Sequence, residues 1–361
     1  MISFTRSSPS LNELLARGMY TIPAGLPFAQ DLAAGILASV QTPEQLAEIK
    51  ILLPSRRAAQ ALKTAFIQQS EGQALFLPDM QPVGDVDELD PGYLSQHFQA
   101  DDLSDLLPAI SLTDRQMILA RLIQSRSVSG QPLSVAQAFR LAASLARFLE
   151  QIYQSGGCFS DLKEADIPPE FARHWSEIVT FLRIVLQKWP EITKEMGVMD
   201  PSVRRLALLD KQLHNWSEQP PKTPVILAGS TGSLPKTVAL MRAVRALPAG
   251  LLVFPGHDGS LISTGDLSSI LGDVGHPLHQ LFTTFASLDV TPDMVPVWPT
   301  CSCQPVITAR TALMRQVLLP AEQTAQWRQI ARDYPEVEAT ALKGLRLVEA
   351  NDTHHEADII A

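Results

Sequence analysis

The sequence predicts an α/β protein in which a parallel sheet, buried on both faces, is interrupted by an insertion of amphipathic helices. Three observations carry this. Four short apolar runs, "MYTIP" (19–23), "IKILLP" (49–54), "VILAG" (225–229) and "LLVFPG" (251–256), each end in Pro or Gly, and the first three precede helical stretches. Continuous apolar runs followed by helices mark parallel strands covered on both sides. Between about 110 and 218 the pattern changes to apolar residues three and four apart, the period of packed helices.

In chain order, "MYTIP" enters the turn "IPAGLPF" and then a helix, and "IKILLP" enters "SRRAAQALKTAF", which starts at the potential cap Ser55. "ALFLPDM" (74–80) reads as a fifth strand. The helical stretch opens with "SLTDRQMILARLIQSR", placing Met117, Ile118, Leu122 and Ile123 on one face. The next helix repeats apolar residues at Ala136, Phe139, Ala142, Leu145, Phe148 and Ile152, and a third carries Trp175, Ile178, Phe181, Leu182, Val185 and Trp189. "DPSVRRLALLDKQLHNW" closes the series. The sheet resumes near 224, the stretch 257–310 is expected to hold little regular structure, and "LRLVEA" (345–350) reads as a sixth strand before an amphipathic helix. The expected organisation is 1–108 and 221–350 as two halves of one α/β domain, 109–220 as an inserted helical subdomain, and 351–361 as the start of another domain that is cut short.

Composition narrows the function. At 361 residues, with 45% hydrophobic and 19% charged residues, the chain is globular rather than disordered. A net charge of -9 excludes a broad basic field for nucleic acid, so any contact with it must be local. Cys158, Cys301 and Cys303 are too few and too irregular for a disulfide framework or a zinc site, which favours free thiols and the cytoplasm. No segment is apolar for long enough to be a signal peptide or to span a bilayer.

"VILAGSTGSLPKT" (225–237) imitates a phosphate-binding loop without its spacing. Counting back from Lys236 puts Pro235 and Ser230 where the two required glycines would stand. Proline has no N–H to offer a phosphate and cannot take the positive φ of glycine. Pro235 instead suits the first turn of a helix, with Ser233 or Ser230 as its cap. In the first turn, "YTIPAGLPFAQDLAAGIL", no Lys or Arg occurs between Arg17 and Lys50, and Pro23 and Pro27 remove two donors. Pro23, Gly25, Pro27, Gly229, Ser230 and Thr231 therefore outline a degenerate nucleotide pocket.

The second turn is richer. Arg56 and Arg57 lie in the first turn of the helix capped by Ser55, against its dipole, at a cost of a few tenths of a kcal/mol each. A bound phosphate would offset that, because N–H groups and guanidinium forks converge on it; the alternative is two solvated arginines. "HDGS" (257–260) and His276 with His279 have no accompanying carboxylate or cysteine set, which favours structural histidines over metal ligands, and His354-His355-Glu356 reads as a solvated cap. No catalytic residues are recognisable.

Taken in order, "YTIPAGLPFAQDLAAGIL", "ILLPSRRAAQALKTAF", "LPDMQPVGDVDE", "HWSEIVTFLRIVLQKWPEI", "GVMDPSVRRLALL", "VILAGSTGSLPKTVALMRAVRALPAGLLVFPG" and "HPLHQLF" resemble the N-terminal part of the AddB subunit family of AddAB-type helicase–nucleases, in its alphaproteobacterial form. The resemblance implies a degenerate RecA-like domain, similar to the first domain of superfamily 1 helicases, within a protein that processes double-strand breaks for recombination. It places "AGSTGS" where a helicase carries the Asp-Glu box that holds Mg²⁺, yet no carboxylate lies between Val225 and Asp258. It matches "LPSRRAA" to the segment that grips single-stranded DNA, so Ser55, Arg56, Arg57 and Lys63 become candidate DNA contacts. It also implies an AddA-type helicase–nuclease subunit as heterodimer partner. An iron–sulfur cluster and Mg²⁺ are expected only in a C-terminal nuclease outside these residues, so no cofactor is expected here. Two rival readings are an active P-loop ATPase using Lys236 and Thr237, and a non-enzymatic helical scaffold.

Overall fold

A computed structural model describes residues 9–70, 72–83, 106–125, 133–156, 182, 184–258, 264–301, 305–319, 321–333 and 339–360. The expected helical positions Trp175, Ile178 and Phe181, and the cysteines Cys158 and Cys303, lie outside the described residues.

The protein is α/β, built on a five-stranded sheet whose described pairings are all parallel. The strands are β1 (Met19–Pro23), β2 (Lys50–Leu53), β3 (Asp79–Pro82), β4 (Val225–Ala228) and β5 (Gly250–Gly256), in the spatial order β1-β5-β4-β2-β3. Residue alternation along the strands divides the core. Tyr20, Ile22, Ile51, Leu53, Ile226, Ala228, Leu251 and Val253 face one layer, covered by α1 (Leu11–Arg17), α2 (Phe28–Ser39) and α4 (Arg56–Gln69), with the short α3 (Pro43–Ala47) between them in sequence. Met19, Leu52, Val225, Leu227, Leu252 and Phe254 face the other. This burial on both faces is why the strands read as continuous apolar runs.

A separate apolar cluster belongs to the helices that follow β3. α5 (Leu112–Gln124) and α6 (Val135–Ser155) pack with a helix over 184–195, α7, around Leu119, Ile123, Ala138, Ala142, Leu145, Val185 and Trp189. The base of this unit is pinned where the chain leaves and returns: Ile110 N–H donates to Met199 O and Met199 N–H to Pro108 O, each at 2.9 Å. α8 (Pro201–Glu218) then runs back along the sheet, and its Leu209, Leu213 and Trp216 pack into the second layer with α9 (Pro235–Ala246).

The pin is reinforced by a buried ion pair. Asp200, the N-cap of α8, accepts from Ser202 N–H at 2.9 Å and Trp189 Nε1 at 2.9 Å. Arg115 Nε stands 2.9 Å from Asp200 Oδ2 without hydrogen-bond alignment, while its Nη2 donates to Ala146 O at 3.1 Å. Burial, with the nearby Asp200 carboxylate adding to it, pushes the Tyr153 hydroxyl up to about 12.

Several expectations are corrected. The fifth strand is Asp79–Pro82 rather than 74–80, because that is the register in which Lys50–Leu53 pairs; Leu75 and Leu77 instead pack against the first core layer. "LRLVEA" is not a strand: Leu347 is 91% exposed. The free edge of β1 is already taken by a neighbouring segment, with Thr21 N–H donating to Pro296 O and Trp298 N–H to Thr21 O. The stretch 257–310 contains α10 (Thr264–Gly272) and α11 (His279–Ser287), whose Leu281, Phe282 and Phe285 fill the second layer. The start of α12 (Pro305–Val317) also falls within it, and beyond it lie α13 (Trp327–Asp333) and the exposed α14 (Thr353–Ile360). The expected stripes of α5 and α6 hold in part: Ile123, Ala142 and Leu145 are buried, but Met117, Ala136 and Phe139 are exposed, and Leu119 and Ala138 are buried instead. Among the described residues, no helix is long and apolar enough to cross a membrane.

Candidate functional site

Parallel pairing sets the carboxyl ends of all five strands on one edge, where ligands of open α/β sheets bind. Adjacent strands β4 and β2 lead into helices on opposite faces, α9 in the second layer and α4 in the first, so a crevice is expected between their carboxyl ends. The turns singled out in the sequence meet there. Phe28, at the start of α2, lies against Gly229 from β4 and near Pro54 from β2: a Cβ on Gly229 would stand 3.3 Å from the Phe28 ring and 3.7 Å from Pro54. With its φ of 77°, Gly229 is required at this close approach.

Of the candidate pocket residues, Pro23, Gly25 and Pro27 form the β1–α2 turn, and Gly229, Ser230 and Thr231 leave β4 beside it. Leu26 N–H donates to Pro23 O at 3.3 Å, and Ile307 of α12 reaches over Gly25 to within 3.4 Å of where its Cβ would stand. α2 starts at Pro27 with no side-chain cap.

The 229–234 turn is held by its own groups. Gly229 N–H donates to Val253 O at 2.9 Å, and Gly232 N–H donates to Ser230 Oγ at 3.2 Å. From α11, Thr284 Oγ1 donates to Thr231 O at 2.7 Å and Gln280 Nε2 to Gly232 O at 3.0 Å. Pro235 occupies the first turn of α9 as expected, but the cap is Leu234, which makes no side-chain bond; neither serine caps the helix, since Ser230 Oγ serves Gly232. Lys236 Nζ bonds Asp210 of α8.

The candidate DNA contacts stand on the same edge. Ser55 caps α4, its Oγ accepting from Ala58 N–H at 3.2 Å, and Arg56, Arg57 and Lys63 are exposed, with no acidic residue in the first turn. Arg56 and Lys63 are two helical turns apart and share one face of α4.

The histidines are structural in their surroundings. His257 is 1% exposed, its ring edge-on to Phe282 and 3.2 Å from Pro292 O through Nε2. His276 Nδ1 accepts from Leu278 N–H at 3.1 Å, and His279 Nδ1 lies 3.1 Å from Ile270 O. Among the described residues no group of three or more His, Cys, Asp or Glu could hold a metal.

Sequence reasoning missed Asp31, in the first turn of α2. Burial raises its carboxyl pKa, with the Cys301 thiol, 3.7 Å from Oδ2, acting against that rise. Its carbonyl accepts from Trp298 Nε1 and Thr300 Oγ1, each at 2.9 Å. Nothing in the local sequence marks a contact across 270 positions. No protein-family model matches this chain, and no curated protein matches it either.

Proposed function

We propose that the chain is a RecA-like, superfamily 1-type helicase domain that has kept a single-strand DNA surface and lost the motor. In this reading it acts within an AddB-type subunit of a double-strand-break-processing helicase–nuclease, beside an AddA-type subunit that supplies ATP hydrolysis. One observation carries the reading: on a single sheet edge, the crevice suited to a nucleotide is filled by Phe28 against Gly229, while the neighbouring helix start presents Arg56 and Arg57 to solvent. The strand order supports it as well, since β5 lies between β1 and β4 and so separates the strand that would precede a phosphate loop from the one that would carry the Mg²⁺ carboxylate.

The chemistry that follows is binding without turnover. Guanidinium groups at an N-terminus would take a DNA phosphate, and Lys63 on the Arg56 face of α4 would extend the contact along the strand. The ATPase reading through Lys236 is disfavoured by its bond to Asp210 and by the carbonyls that the 231–232 turn gives to α11. The scaffold reading draws on exposed apolar side chains of the helical unit, such as Val135 at 71% and Leu141 at 48%.

Fluorescence anisotropy with a labelled single-stranded oligonucleotide, at several salt concentrations, separates these readings. In an Arg56→Ala, Arg57→Ala variant the slope of log K against log salt should shrink by about 1.4, roughly 0.7 for each phosphate that is no longer neutralised. An unchanged affinity and slope would refute the DNA surface and favour the scaffold. Calorimetric heat of ATP binding that disappears in Lys236→Ala would refute loss of the motor.

A further inference from the structure

Where α10 packs against α11, the second layer leaves a hollow of about 220 Å³, open to solvent on one side. Leu267 and Leu271, one turn apart on α10, form one wall, and Phe282, Phe285 and Ala286 of α11 form the other. Val290 and Pro292 complete the lining. The Phe282 and Phe285 rings stand 5.8 Å apart at 30° to each other, with the His257 ring edge-on to both at 5.7 and 6.2 Å. Native interiors keep few voids larger than a water molecule, so a space of this size beside two rings that are each 1% exposed is unusual.

Water is a poor occupant of it. A buried water needs about two to four polar partners, and the backbone groups at this end of α11 are already engaged. Leu288 N–H donates to Thr284 O at 3.0 Å, Asp289 N–H to Ala286 O at 3.2 Å, and Val290 N–H to Phe285 O at 2.9 Å. Pro292 has no N–H, and its carbonyl accepts from Val295 N–H at 3.2 Å and lies 3.2 Å from His257 Nε2. Asp289 and Thr291 supply the polar side chains of the lining, and both residues are exposed, so bulk solvent serves them. An uncharged apolar molecule would gain contact with both rings and leave no polar group of its own unpaired. The volume sets its size: an apolar cavity of about 150 Å³ stays dry and takes benzene, so this one has room for a single aromatic ring with a short substituent.

We propose that this hollow binds a small uncharged ligand carrying one aromatic ring, seated against Phe282 and Phe285 between Leu267, Leu271 and Val290. It belongs to the second layer, on the opposite face of the sheet from α4, so its success or failure is separate from that of the DNA surface. Toluene is the direct probe, followed by methyl NMR of the chain labelled at leucine and valine. Saturable shifts are expected at Leu267, Leu271 and Val290 but not at Leu52 or Leu62, with a dissociation constant on the order of millimolar for so small a ligand.

Benzoate has the same ring but carries a charge, which would lose hydration beside the Asp289 carboxylate, so it should bind at least about tenfold more weakly. Ala286 is exposed, so Ala286→Phe can place its ring in the hollow from the solvent side without displacing the core, and it should abolish the toluene response. If that variant does not fold, the comparison of toluene with benzoate on the unchanged chain still decides. No saturable shift up to the solubility limit of toluene, equal responses to the two probes, or undiminished toluene binding by Ala286→Phe would each overturn the proposal, as would a toluene-soaked crystal holding ordered water between Leu271 and Phe285.

Discussion

Replacing Gly232 by alanine tests why the phosphate-loop mimic is glycine-rich. Gly232 has a φ of 72°, a left-handed conformation that costs a residue with a Cβ about 1–2 kcal/mol. The new methyl would stand 2.6 Å from Thr284 Oγ1 and 2.7 Å from Thr284 Cγ2, too close for either atom to stay. Thr284 is 1% exposed and bonds Thr231 O, so displacing it forfeits a buried hydrogen bond, a further loss of about 1–2 kcal/mol. Gly232→Ala should therefore lose roughly 2–4 kcal/mol in urea unfolding followed by far-UV circular dichroism. Adding Thr284→Ala removes the clash and keeps the strain, so the double variant should be less destabilised than the sum of the singles by about 1–2 kcal/mol. A loss below about 1 kcal/mol, or strict additivity, would refute the idea that this glycine serves packing against α11.

Two further outcomes follow from buried groups. Asp200→Asn keeps the shape but leaves the Arg115 guanidinium, 6% exposed, without a countercharge, so unfolding free energy should drop by about 3–5 kcal/mol; retention of wild-type stability would mean that Arg115 is compensated elsewhere. For His276, burial depresses the imidazole pKa below its ordinary 6.5, with Asp273 opposing and His279 adding to the depression. A lowered folded value makes this contribution to stability complete above the unfolded pKa and lost as pH falls through the folded one. Protonating Nδ1 also removes the acceptor for Leu278 N–H at the start of α11. The melting temperature should therefore fall as pH drops below about 6.5, and His276→Asn, which offers a non-titrating acceptor, should flatten that fall; an identical pH profile in the variant would refute the assignment.

The sheet was legible because burial on both faces writes itself locally, as in "VILA" and "LLVF", with no partner strand needed to recognise it. Register was not local. "ALFLP" has strand composition, yet the residues that pair are the more polar Asp79–Pro82, since pairing depends on what β2 presents. "LRLVEA" failed for a related reason: a strand needs an unoccupied edge, and Pro296 and Trp298 hold the one beside β1. Proline and glycine masked α11, although Leu281, Phe282 and Phe285 already had helical spacing. At the candidate site, the cap on α4 and the proline start of α9 were written in short motifs. The meeting of Phe28 with Gly229 and the Lys236–Asp210 bond each join distant segments, and no motif encodes them.

Whether the edge of the sheet can hold a triphosphate turns on where its donors point and what charge accompanies them. A helix N-terminus supplies only about half a positive charge, so a phosphate loop adds a lysine and a run of unengaged N–H groups. Here α2 begins without a side-chain cap and keeps the dipole, but no Lys or Arg lies within its turn and Phe28 occupies the approach. In the 229–234 turn, the N–H groups of both glycines are engaged, by Val253 O and by Ser230 Oγ, and the lysine that follows, Lys236, is bonded to Asp210. Opening that loop to phosphate would require breaking bonds to α11 and α8 as well as moving an aromatic ring. Arg57 at the start of α4 is exposed at a helix end whose cap is already in place, so a phosphate could reach its guanidinium without opening either turn.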